Sequence, residues 1–314
     1  MKIVLLESLG ISPDIMHKYA SDIMNAGHTF VQYERDTDTK TLIDRIGDAE
    51  AVIIANMPLK GEVIRECKNL RFIDVAFTGV DHVDLETARQ MGIKVSNASG
   101  YSTEAVAELA LCMMISLLRN VRQTDTRCRN HGTKDGLIGS ELKGKTVGII
   151  GTGLIGMRTA ELCHAFGCNI LGNRRHTKGN EPEYMKMVSL EELLRQADIV
   201  SLHCPLTPET RHLMNKDRIG MMKRGAILIN TARGPVTDMQ ALEDALRNGQ
   251  LSAAGIDVFD SEPPLADCPL ADYENTVLTP HIAFATKESM IARAGIVFDN
   301  LKAWTEGKQK NIIL

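Results

Sequence analysis

Several things are missing from this 314-residue sequence, and each absence removes a class of protein. No apolar run approaches the roughly 20 residues that a membrane-spanning helix needs. The formal net charge is −4, so no basic excess draws the chain to nucleic acid or to a membrane surface. The cysteines are Cys67, Cys112, Cys128, Cys163, Cys168, Cys204 and Cys268, an odd number with no CxxC pair. Several lie inside apolar runs, which reads as reduced thiols in a cytoplasmic protein and not as a disulfide framework or a metal site. No repeat of solenoid period and no low-complexity tract interrupts the chain. The start, MKIVLLESLG, has one Lys, a short apolar run and no small-residue cleavage pattern, so it reads as a first strand and not as a signal peptide.

What is present is ordinary for a globular enzyme. Hydrophobic residues make up 44% and charged residues 24%. The length suggests about two domains. Residues 1–99 alternate short apolar runs with polar periodic ones. Strands are expected at 2–7, 29–34, 51–56, 71–76 and 94–98, and a helix at 13–27. Strands alternating with helices argue for βαβ units and a parallel sheet. Residues 101–119, YSTEAVAELALCMMISLLR, have Ser102 or Thr103 as a cap and then an almost wholly apolar run. Such a helix must be buried on most sides, as at a domain junction. A second series begins at Lys145, with strands at 146–151, 169–173, 198–203, 226–231, 253–259 and 276–280. Helices are expected at 189–197 and 238–249, and a long amphipathic one at 287–307 could return to the first series. The fold class is therefore α/β, with two Rossmann-like, doubly wound parallel-sheet domains. Residues 1–99 plus 284–314 form one, flavodoxin-like and substrate-binding, and residues 100–283 form the dinucleotide-binding one.

GTGLIG places Gly151, Gly153 and Gly156 in GxGxxG spacing, with Leu154 and Ile155 between. It follows an apolar strand and opens a helix, the context that gives the motif meaning. The first glycine makes a tight turn, the second admits a pyrophosphate and the third lets helix and strand pack closely. The phosphate would rest on the positive end of the following helix. The next strand ends at Asn173 and Arg174, 174 − 151 = 23 positions after the first glycine. An acid at this strand end would hold the ribose 2′-OH of NAD. Here Arg174 stands instead, and Asn173, Arg175, His176 and Lys178 add further donors for the cofactor nearby. Arginine makes charge-assisted, bidentate bonds to a 2′-phosphate, which points to NADP(H) over NAD(H). The other reading is a solvated basic loop that tolerates either cofactor.

Three later motifs each follow an apolar strand. INTARGP (229–235) carries Arg233, DSEPP (260–264) carries Glu262 and LTPHIAFAT (278–286) carries His281. In doubly wound sheets the loops at the carboxyl ends of strands hold the functional groups. Together with FTGVDHVD (77–84), NASGYSTEAVAEL (97–109), LHCPLT (202–207) and GIDVFDSEP (255–263), their order and spacing resemble the D-isomer-specific 2-hydroxyacid dehydrogenase family over essentially the whole chain.

The resemblance implies an active site in the cleft between two domains and a homodimer built on the nucleotide-binding domains. It implies that Arg233 grips the substrate carboxylate, with backbone N–H groups at Gly79 and Val80 on the other side. His281 would be the general acid on the ketone, oriented by Glu262. Thr103, Cys204, Pro205, Thr210, Thr231, Ala232, Asp257 and Ala283 match positions that line the cofactor, with Asp257 near the nicotinamide amide. His82, His131, His164, His203 and His212 match no catalytic position, and the fifteen methionines read as core filler.

The expected activity is reduction of a small 2-oxo acid of the glyoxylate or hydroxypyruvate type by hydride transfer, with NADPH preferred. The arginine strand end is similar to that of glyoxylate/hydroxypyruvate reductases. A short-form D-3-phosphoglycerate dehydrogenase is the alternative within enzymes; the regulatory domain many of those carry would lie beyond the closing helix. A formate dehydrogenase would have Gln where Glu262 stands, whereas phosphite oxidation would keep the trio. A corepressor-like dinucleotide sensor is the alternative outside catalysis. The partner is then a small 2-oxo or 2-hydroxy acid, with no nucleic acid, no membrane and no metal. The pocket for the rest of the substrate would come from loops near 52–58 and 77–82 and from Phe284.

Overall fold

A computed structural model describes residues 1–176, 179, 181–262 and 268–314. Lys178 lies outside the described residues. The chain divides into two compact units, Met1–Ser102 with Ala285–Leu314, and Thr103–Phe284. Among the described residues no helix is long and apolar enough to cross a membrane.

The first unit runs β1 (Lys2–Leu5), α1 (Pro13–Asn25), β2 (Thr29–Gln32), α2 (Thr39–Ile46), β3 (Ala51–Ile54), α3 (Gly61–Glu66), β4 (Phe72–Val75), α4 (Leu85–Gln90) and β5 (Lys94–Asn97). Its sheet has the order β2-β1-β3-β4-β5, with every pairing parallel. β3 and β4 are buried along their whole length, as a sheet covered on both faces requires. Ser12, Asp38 and Asp84 cap α1, α2 and α4 through their side chains, which sets where these helices begin.

The last helix of the chain, Lys287–Thr305, belongs to this unit and covers β4. Its Trp304 stacks on Phe72 at 4.8 Å and its Phe298 on Tyr19 at 4.3 Å. Its Asn300 donates to Asp74 Oδ1 and to the carbonyl of Asn97. Burial pushes the Asp74 carboxyl well above its usual range.

The second unit runs α5 (Thr103–Leu118), α6 (Val121–Arg129), β6 (Thr146–Ile150), α7 (Leu154–Ala165), β7 (Asn169–Asn173), β8 (Met185–Met187), α8 (Leu190–Gln196), β9 (Ile199–Leu202), α9 (Lys216–Met221), β10 (Ala226–Asn230), α10 (Met239–Arg247), β11 (Leu251–Ile256) and β12 (Thr276–Leu278). The closing helix is then α11. The sheet order is β12-β11-β10-β9-β6-β7-β8, all parallel. Winding reverses between β6 and β9, and ligands of such sheets lie off the carboxyl ends of the strands at that point. As its composition implies, α5 is buried along most of its length, against α7 and the strands β10 to β12.

Two differences from the sequence reading have physical causes. β8 is a strand that the sequence does not announce, since only Met185 of its three residues is buried and no alternation is visible. β11 begins earlier than expected and stops at Ile256, because the chain at Asp257 leaves the sheet to hold another loop.

Candidate active site

The glycine turn follows β6. Gly151 has φ +96°, and a Cβ there would lie 2.6 Å from the backbone of His203. A Cβ on Gly156 would fall 2.0 Å from the Gly151 carbonyl oxygen. These two glycines serve the packing of turn, helix and β9. Gly153 is different, since a Cβ there would meet nothing within 4 Å. It is also the N-cap of α7 and gives that helix no side-chain cap. The first N–H groups of α7 therefore face a place that no Cβ and no capping side chain fills, which suits a phosphate. Leu154 and Ile155 open the helix, and the buried Thr152 hydroxyl beside them has no hydrogen-bond partner among the described residues. The turn fits a dinucleotide.

At the end of β7, the Asn173 carbonyl accepts from Gly151 N, and its amide nitrogen donates to the Val188 carbonyl. That bond ties the side chain to the residue just after β8. Arg174 reaches back to the carbonyl of Thr152 at 3.5 Å, so its guanidinium stands beside the glycine turn. Arg175 is largely exposed and lies 4.0 Å from Glu209. His176 is exposed too. No acid stands at this strand end.

After β9 come His203, Cys204 and Pro205. Burial pushes the Cys204 thiol up to about 11. The Thr210 hydroxyl donates to the Pro205 carbonyl and accepts from Thr207 N, so it staples its own loop. After β10, Thr231 carries a buried hydroxyl with no hydrogen-bond partner among the described residues. Asn230, which sequence reasoning did not single out, shapes the next turn. Its Oδ1 accepts from Ala232 N, and its Nδ2 donates to the carbonyl of Arg233. Arg233 is half-buried and donates to the Ala232 carbonyl. Thr103, the first residue of α5, is half-buried in this same unit.

The histidine loop is built on Asp257, which is fully buried. Its Oδ1 accepts from Thr279 Oγ1 at 2.5 Å and Ile282 N at 2.9 Å, and its Oδ2 from Ala283 N at 2.9 Å. Its carbonyl accepts from His281 N at 2.7 Å. Burial raises its carboxyl pKa, and these donors offset only part of the rise. The residue that the resemblance assigns to the cofactor thus also fastens the loop that carries His281. That loop holds His281 at φ +54°, a left-handed conformation that a non-glycine residue rarely adopts without such support.

His281 Nδ1 lies 2.7 Å from Glu262 Oε2, and the ring meets Phe284 edge-on at 5.5 Å. Burial raises the Glu262 carboxyl, but the hydrogen bond and charge of His281, Phe259 N–H and the charge of Arg233 outweigh it, and the net shift is downward. The carboxylate is therefore ionised at neutral pH and holds one face of the imidazole. Within this unit Arg233, Glu262 and His281 share one electrostatic neighbourhood at the carboxyl ends of β10 to β12.

Gly79 and Val80 belong to the first unit, in the loop after β4. Asn97 Nδ2 donates to the Thr78 carbonyl at 2.7 Å. A trans peptide points its C=O and N–H in opposite directions. Clamping the Thr78 carbonyl inward therefore turns the Gly79 N–H away from Asn97.

Comparison with known proteins gives this geometry a context. The family model described as D-isomer specific 2-hydroxyacid dehydrogenase, NAD binding domain, matches residues 111–283. A hydroxypyruvate reductase of Blautia hydrogenotrophica is 36% identical, over 100% of this chain and 99% of that protein. A D-3-phosphoglycerate dehydrogenase of Methanocaldococcus jannaschii is 37% identical, over 85% of this chain and 52% of that protein. Among solved structures, an acyclic imino acid reductase in complex with NADPH and D-Arg superposes with a TM-score of 0.92 at 27% identity, over 100% of both chains. The chain belongs to the D-isomer specific 2-hydroxyacid dehydrogenase family, as an oxidoreductase with a nicotinamide dinucleotide cofactor.

Proposed function

We propose that this chain is an NADPH-preferring reductase of small 2-oxo acids, of the glyoxylate or hydroxypyruvate type, yielding the D-2-hydroxy acid. The observation that carries the cofactor preference is the end of β7, where Arg174 lies against the glycine turn and no acid is present to repel a 2′-phosphate. Gly151, Gly153, Leu154, Ile155 and Gly156 would hold the pyrophosphate. Arg174 and Arg175 would hold the 2′-phosphate, and Cys204, Pro205, Thr210, Thr231, Ala232, Asp257, Ala283 and Thr103 would line the rest. The dinucleotide, when bound, would supply the hydride chemistry for reduction of the ketone.

The chain's own residues do the remainder. Arg233 grips the carboxylate through its planar fork, and the Gly79 and Val80 N–H groups bind it as well. His281 holds a proton on Nε2 and gives it to the ketone oxygen as charge develops there. Glu262, ionised and bonded to Nδ1, fixes the orientation of the ring. The first unit is the substrate domain in this reading and the second the dinucleotide domain. A cytoplasmic homodimer is part of the same proposal.

The test is kcat/KM for NADPH against NADH, with hydroxypyruvate as co-substrate, in wild type and Arg174→Ala. NADPH should win in wild type, and the preference should fall about tenfold or more in the variant. A wild type that prefers NADH, or a variant that keeps the preference, rejects the cofactor assignment. The similarity to a D-3-phosphoglycerate dehydrogenase favours a second reading, and oxidation of 3-phosphoglycerate faster than that of D-glycerate would establish it.

A further inference from the structure

The carboxyl edge of the first sheet carries a second charged cluster. In the order β2-β1-β3-β4-β5 the winding reverses between β1 and β3, and the crevice beyond their carboxyl ends is where such a sheet accepts a ligand. Glu7, two residues past β1, is 4% exposed. Its Oε1 accepts from Ala55 N at 2.7 Å and Met57 N at 2.9 Å, in the loop that follows β3. Its Oε2 accepts from Arg35 NH1 at 2.6 Å, and the same NH1 donates to Asn56 Oδ1 at 2.8 Å. A buried carboxylate is tolerated where its lone pairs find such donors.

The segment that carries Arg35 is fastened as well. The Arg45 guanidinium lies over the Tyr33 ring at 5.1 Å, donates to the Glu34 carbonyl at 2.7 Å and pairs with Asp36 at 3.5 Å. Arg35 is therefore held in place through NH1, while its side chain stays 49% exposed. Among the described residues its hydrogen bonds all run through NH1, which leaves the donors on Nε and NH2 for something else.

We infer that Arg35 is a specificity-determining residue that reads an oxygen on C3 of the substrate, a group that hydroxypyruvate carries and glyoxylate lacks. This rests on the proposed reduction of 2-oxo acids, with the carboxylate bound by the Gly79 and Val80 N–H groups. Neighbouring strands lie about 4.8 Å apart. β1, β3 and β4 are successive in the sheet, so the cluster stands roughly 5–10 Å from the β4 loop. A hydrogen bond at each end of the substrate takes about 3 Å. At most about 4 Å of that span then remains for the substrate, within reach of an oxygen on C3, an atom that a two-carbon acid lacks. The acceptor on C3 is either a free hydroxyl or an ester oxygen of a phosphate.

The experiment compares kcat/KM for hydroxypyruvate, its 3-phosphate and glyoxylate in wild type, Arg35→Met and Glu7→Gln. Calorimetric titration of D-glycerate and glycolate gives a second readout that needs no turnover. In Arg35→Met the hydroxypyruvate-to-glyoxylate ratio should fall about tenfold, through KM, as expected for one lost hydrogen bond to a charged donor. The D-glycerate-to-glycolate affinity ratio should fall alongside it. Glu7→Gln keeps an acceptor for the loop but loses the charge that pins Arg35, so it should move both ratios in the same direction by less. A larger fall on the 3-phosphate than on hydroxypyruvate assigns the site to the ester, and the reverse assigns it to the alcohol. Ratios that stay at the wild-type value in Arg35→Met overturn the inference. A wild type that neither binds nor reduces any of these acids overturns the proposed reaction itself, and this inference with it.

Discussion

Glu262 Oε2 lies 2.7 Å from His281 Nδ1 across 19 positions of sequence, and Asp257 holds the loop that makes this distance possible. In the proposed reaction the pair divides two tasks: the histidine would carry the proton, and the carboxylate would fix the ring that carries it.

Replacing His281 by Ala should therefore lower kcat by about 10²–10⁴-fold, the usual contribution of a positioned general acid. Dinucleotide affinity should stay close to wild type. Glu262→Gln keeps the shape but removes the charge, and should cost about ten- to a hundredfold. Steady-state kinetics beside a dinucleotide titration would check both, and a Glu262→Gln enzyme as fast as wild type would end the orienting role. The sign with pH follows from the lowered Glu262 carboxyl. Its stabilising contribution is present above the ordinary carboxyl pKa and is lost only as pH falls through the lowered value.

The glycine loop separates packing from binding at two nearby positions. A Cβ on Gly156 would collide with the Gly151 carbonyl, whereas a Cβ on Gly153 meets nothing. Gly156→Ala should lower Tm by about 5 °C or more, since the turn and helix must move apart. Gly153→Ala should leave Tm within about 1 °C and weaken dinucleotide binding roughly tenfold, because the methyl group would enter the place proposed for the pyrophosphate. Thermal melts with and without dinucleotide measure both effects. A Gly153→Ala protein that binds dinucleotide like wild type would show that nothing occupies that space.

These contrasts bear on what could be read from sequence. GTGLIG, the strand runs and the arginines after β7 were legible because their constraints are local, namely a turn, an apolar period and a strand end. Asn230 and Asn97 were not, because their work is a side chain bonded to backbone carbonyls in a folded loop. Nor did the sequence reveal that His281 sits at φ +54°, since Asp257 imposes that conformation from 24–26 positions away. The Glu7–Arg35 pair was hidden for the same reason, as 28 positions separate two residues of ordinary type.

His203 supplies a test of stability that is independent of catalysis. It follows β9, and its Nε2 lies 2.9 Å from Ser201 Oγ. Its Nδ1 is buried with no hydrogen-bond partner among the described residues. Burial lowers the imidazole from 6.5 to about 4. The unfolded chain therefore takes up a proton below about 6.5, and the folded chain only below about 4. Between those values the unfolded state binds more protons, so stability falls as pH falls, and the loss is complete near the folded value. From pH 7 to pH 5 this one group should cost about 2 kcal/mol, at 1.36 kcal/mol per unit. His203→Gln removes the titration, so its stability should fall by about 2 kcal/mol less than that of wild type over the same interval. Urea unfolding at the two pH values measures the difference. An equal loss in both proteins would mean that the imidazole is already solvated, and that the crevice between β6 and β9 is wetter than its packing indicates.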